Sequence, residues 1–144
     1  MLEHRNGTLY EDMYWIDLDT TKVVASEISS GIEEQILYSK NTITTVQTHN
    51  NLLTIHSHPN SYPPSINDLN SNYQNGYIIG IIICHNGKIY MYSVHEEINE
   101  NYYNMTIAEY LKEGYDENEA QLKALHHIGE RFNIQFKEVA GNDL

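Results

Sequence analysis

Two periods divide the chain. Up to about residue 95, apolar positions alternate with polar ones or gather in short β-branched and aromatic runs; beyond it they recur every three or four residues. Tyr10–Leu18 (YEDMYWIDL) reads as a strand, the polar Asp19–Lys22 as a turn and Val23–Ala25 as a second strand, together a hairpin. Ile32–Leu37 is compatible with a short helix or an irregular edge. Leu52–His58 (LLTIHSH) alternates, placing Thr54, His56 and His58 on one face and Leu53 and Ile55 on the other. Gly76–Val94 holds two β-rich runs, YIIGIIICH and KIYMYSV, around Asn86-Gly87, which predicts a hairpin with a two-residue turn. In the last third, Ile107, Tyr110 and Leu111 fall at i, i+3 and i+4, and Leu122, Leu125, Ile128 and Phe132 form a second helical stripe. Gly114 separates the two helices, and Asp116 suits the N-cap of the second. This order predicts an α/β (α+β) layer fold whose C-terminal helices cover about residues 105–132. No repeat or Pro/Ser-rich linker interrupts it, so residues 1–144 are expected to form a single domain.

Charge narrows the function classes. With 8 Lys plus Arg against 20 Asp plus Glu, the net charge is −12. That disfavours nucleic acid and anionic membrane, both of which require clustered cations. Seventeen Ile are enough for one packed core. The single Cys, Cys84, excludes an intrachain disulfide and a Cys-rich zinc knuckle. The first residues lack the apolar core of a signal peptide, and the longest apolar run, Tyr77–Cys84, is too short to span a bilayer. A cytoplasmic location is the expectation.

The candidate chemistry lies in IHSHPNSYPPSIND, Ile55–Asp68. His56 and His58, two apart on a strand, project from one face and can chelate one ion. Pro59 ends strand pairing, and Asn60–Pro64 reads as a stiff loop. On a helix starting at Ser65, Asp68 falls in the first turn and can turn back toward the histidines. Two imidazoles, a carboxylate and a water make the open four-coordinate site of a catalytic zinc. Singly, each piece has an ordinary explanation: His-x-His as polar strand surface, Ser-x-x-Asp as a capping box, Pro-Pro as a loop. Their order within fourteen residues favours the metal.

His56-Ser57-His58-Pro59 followed by Ser65-x-x-Asp68 resembles the JAMM motif of the JAB/MPN+ zinc metallopeptidases, in their short bacterial or phage form. The resemblance spans about residues 8–95 and implies a curved mixed sheet flanked by helices. It also implies that His56, His58 and Asp68 bind Zn2+ and that Ser65 stabilises the oxyanion. A Glu on an earlier strand would be the general base. Glu11, ahead of an aromatic-x-Ile-Asp run, matches the family's placement best, and Glu27 is the alternative. The spacer from Pro59 to Pro64 has six residues where the family commonly has seven. The implied activity is hydrolysis of a peptide or isopeptide amide in a protein or peptide substrate. The other readings are an MPN-like scaffold that works through protein contacts, and a hydrolase of non-peptide amides. His95-Glu96-Glu97 lacks the second His of a zincin helix. His126 and His127 are expected at the surface and Cys84 in the core.

Overall fold

The computed structural model describes residues 11–28, 38–59 and 61–139. Tyr10 and Ile32–Leu37 lie outside the described residues. The elements run β1 (Met13–Asp17), β2 (Lys22–Glu27), α1 (Lys40–Thr48), β3 (Leu52–His58), α2 (Ile66–Gln74), β4 (Ile79–Cys84), β5 (Ile89–Val94), α3 (Glu100–Lys112), α4 (Glu117–Arg131) and β6 (Ile134–Val139). The six strands form one mixed sheet in the order β2-β1-β3-β4-β5-β6. All neighbours are antiparallel except β3 and β4, which α2 joins by a crossover. This is the α+β layer architecture that the hydrophobic pattern predicts.

Alternation assigns the two faces. Leu52, Thr54, His56 and His58 of β3 are buried on the face that the helices cover. Ile82, Cys84, Tyr90, Tyr92 and Val94 continue that face and pack against Leu69 of α2, Tyr103 of α3, and Ala124, Leu125 and Ile128 of α4. Leu122 and Phe132 lie partly buried against the same cluster, so the predicted α4 stripe does face the sheet. A second cluster joins Met13, Trp15, Leu52 and Tyr77, with Val46 of α1 packed on it. The opposite face gathers Leu53, Ile55, Ile79, Ile81, Ile83, Ile89, Met91 and Val139.

Four local details depart from the sequence reading. Helix α3 begins at Glu100, capped by Asn99, rather than near 105. Its buried residues are Tyr103 and Thr106; of the predicted stripe, Ile107 and Tyr110 pack on the core partly buried, while Leu111 is 44% exposed. The β4–β5 turn has three residues, not two. Cys84 N–H bonds to the Lys88 carbonyl and Gly87 N–H to the Cys84 carbonyl, with Gly87 at φ 93°. That is a type I turn closed by a left-handed glycine, the usual three-residue hairpin loop. Finally, α1 and β6 were not anticipated. Among the described residues no helix is long and apolar enough to cross a membrane.

Candidate metal centre

The site forms at the C-terminal end of β3, where the one parallel connection leaves the sheet, a place where open α/β sheets commonly form a crevice. Strand period sets His56 and His58 side by side, with Nε2 atoms 3.1 Å apart. Ser65 caps α2 by accepting from Asp68 N–H at 3.1 Å, while the Asp68 carboxylate accepts from Ser65 N–H at 2.9 Å. This capping box fixes where α2 starts and points Asp68 back at the strand. The Asp68 carboxylate lies 3.4 Å from His56 Nε2 and 3.3 Å from His58 Nε2. One ligand atom from each of the three residues lies within 4.8 Å of the others.

These separations allow a test of metal fit. Zinc bonds of about 2.0–2.1 Å in a tetrahedron place ligand atoms about 3.4 Å apart. The imidazole nitrogens, 3.1 Å apart, come near that edge, and the Asp68 carboxylate turns one oxygen to each, Oδ1 3.4 Å from His56 and Oδ2 3.3 Å from His58. The donor set, two imidazoles and one carboxylate, leaves a fourth position free. His58 Nδ1 donates to the Tyr62 carbonyl at 3.0 Å, which fixes the tautomer that turns the Nε2 lone pair inward. His56 Nδ1 has no hydrogen-bond partner among the described residues.

The ionisable groups here support one another's charge. Burial works against a charged His58, but the hydrogen bond and charge of Asp68, the charge of Glu11 and the Tyr62 carbonyl outweigh it, pushing the imidazole up to about 9. Burial likewise opposes a charged Asp68, yet the two imidazoles hold its carboxyl well below the usual range. Without metal, a proton on His58 takes the place of the cation.

Glu11 sits beside this centre through strand register. Met13 pairs with His56. The ladder continues as Asp12 N–H bonds to Ser57 Oγ at 2.9 Å and Ser57 N–H to the Asp12 carbonyl at 2.9 Å. Glu11 therefore stands opposite His58 on the same face, its carboxylate 3.7 Å from Nε2 and 8% exposed. Glu27 is elsewhere. It accepts from Ser39 N–H at 3.0 Å and Thr42 Oγ1 at 3.2 Å, holding the start of α1.

Around the centre is a cavity of about 430 Å³. Glu11, His56, His58, Ser65 and Asp68 line it, together with Tyr38, Tyr62, Tyr77, Tyr92 and Gln121. No Lys or Arg lines it among the described residues. Burial keeps the Tyr77 and Tyr92 phenols neutral, so they offer hydrogen bonds rather than charge. Sequence reading missed Ser57 as the staple for Glu11, Tyr62 as the partner of His58, and this tyrosine wall. Only Ser57 carried a signal, as the residue enclosed by the two histidines. Cys84 is fully buried, and burial pushes its thiol up to about 12, so it belongs to the core. His126 and His127 are exposed. Comparison with protein-family models, curated proteins and solved structures finds no match for the chain.

Proposed function

We propose that the protein is a zinc-dependent hydrolase of peptide or isopeptide amides. The observation that carries this reading is the convergence of His56, His58 and the Asp68 carboxylate within 3.1 to 3.4 Å, with the Glu11 carboxylate alongside, in an open cavity. His56 and His58 would hold the ion through Nε2, and Asp68 through a carboxylate oxygen. Bound there, zinc supplies a Lewis acid for the scissile carbonyl and lowers the pKa of a bound water toward ~7.

The remaining steps belong to the chain. Glu11 accepts a proton from the attacking water and passes it to the leaving nitrogen. Its burial beside His58 holds that carboxylate where the water must stand. Ser65 Oγ accepts from Asp68 N–H, which leaves its own hydroxyl proton to donate to the developing oxyanion. The neutral tyrosine hydroxyls of the cavity lining offer hydrogen bonds to the substrate.

Elemental analysis and a panel of fluorogenic peptides and isopeptide-linked conjugates test the reading. About one zinc per chain is expected, with amide cleavage that falls ~10²-fold or more in Glu11→Gln while zinc content holds. Stoichiometric zinc in a His56→Ala/His58→Ala double variant would overturn the ligand assignment. Undiminished cleavage in Glu11→Gln would overturn the mechanism. Full zinc occupancy with no cleavage of any conjugate would turn the reading toward a scaffold.

A further inference from the structure

Helix α4 lies far along the chain from the His-x-His segment, yet it grips the loop that orients one of the ligands. The Ser61 carbonyl accepts from Asn118 Nδ2 at 3.1 Å and from the Tyr90 hydroxyl at 3.2 Å. Asn118 Nδ2 also lies 2.5 Å from Ser61 Oγ. The next residue, Tyr62, donates its hydroxyl to Glu117 at 3.2 Å, and its carbonyl receives His58 Nδ1. Two donors on the Ser61 carbonyl fix the peptide plane between Ser61 and Tyr62, and Pro63 beyond it restricts Tyr62 to extended backbone. The Tyr62 carbonyl, which also accepts from Cys84 Sγ at 3.7 Å, thereby keeps its direction. That carbonyl in turn fixes which nitrogen His58 presents to the cavity.

We propose that Asn118 is a positioning residue that sets how tightly the site holds zinc, acting through Ser61 and Tyr62 on His58. The proposal rests on the zinc reading above. Helix α4 does not need this tie to stay in place, because Ala120, Ala124, Leu125 and Ile128 are fully buried. The Asn118 amide is therefore spent on the loop rather than on the core. Without it, the Tyr62 carbonyl drifts, the imidazole turns, and the Nε2 lone pair is no longer held toward His56 and Asp68. Partners one step outside the ligands typically govern metal affinity 10–100-fold. Asn118 stands one step further out, and about a tenfold loss is expected.

The test is zinc affinity, by competition with a chromogenic chelator at a temperature where every variant is folded. In parallel, proton exchange of the His58 Nδ1–H is followed by NMR in metal-free and zinc-loaded protein. Asn118→Ala should weaken zinc about tenfold and speed exchange of that proton at least as much. Tyr62→Phe, which removes the exposed tie to Glu117, should shift both in the same direction by less. Unchanged affinity in Asn118→Ala overturns the proposal. So does a fall in affinity with the His58 proton unaffected, which would mark a general loosening instead. If the native chain takes up no zinc, the hydrolase reading fails by itself, and unaltered exchange in the metal-free protein would remove the clamp as well.

Discussion

Asp68 serves two structures with one carboxylate, closing the cap of α2 and facing both imidazoles. Asn in its place keeps a cap acceptor but loses the anion. Asp68→Asn should therefore retain its helix while zinc affinity falls by ~10-fold or more, measured by chelator competition and far-UV circular dichroism. The histidines and Asp68 were legible in sequence because strand period and helix capping are local rules. Glu11 was not legible in that way. Its place depends on the pairing of β1 with β3, some 40 residues apart, and only the family resemblance favoured it over Glu27. Tyr62 and Asn118 left no sequence signal at all, since a carbonyl acceptor has no residue preference and an exposed-looking Asn on a helix is ordinary.

Strands and helices with a strong period were legible, and those without one were not. Helix α1, KNTITTVQT, contains four Thr, poor helix formers, and gains its place from the Ser39 cap and from packing on Trp15 and Leu52. Strand β6 is hidden because it starts at Ile134, with only two residues between it and the end of α4, so no break in the pattern marks it. Gly80 shows how one element depends on another. It pairs with Tyr92, whose ring lies where a Cβ at position 80 would stand, and the Tyr92 hydroxyl is hydrogen-bonded with Thr54 in the cavity wall. Gly80→Ala must push that ring aside. A loss of about 1–3 kcal/mol is expected by urea denaturation, as for other overpacked cores. Substrate KM should rise as well, because Tyr92 lines the cavity.

The whole molecule should respond to pH through the metal centre. His58 titrates near 9 when folded, against 6.5 for an ordinary imidazole. Between those values the native state binds more protons than the unfolded chain, so stability falls as pH rises. The slope reaches at most about 1.4 kcal/mol per pH unit for one proton. Below 6.5 this contribution is fully present. Asp68 acts at the acid end: its contribution is present above 3.8 and is lost as pH falls through its depressed folded value. Urea midpoints in the presence of a chelator should therefore decline from pH 6.5 to 9. Saturating zinc should abolish the decline, because the ion displaces the His58 proton. A flat chelator profile would show that the metal-free ion pair contributes nothing.

The central strand β4 has a consequence for how the protein fails. Tyr77–Cys84 is eight residues without a charge, rich in Ile, and paired on both edges by β3 and β5. Folded, it offers no free edge; released, it is a template for intermolecular cross-β stacking. The twelve excess negative charges keep unfolded chains apart at neutral pH, but that repulsion vanishes near the isoelectric point of about 4.9. Heating followed by light scattering should give clear, reversible melts at pH 8 and turbid, irreversible ones near pH 5. Placing a Lys at Ile83 would break the sticky run and should delay turbidity even in a less stable fold.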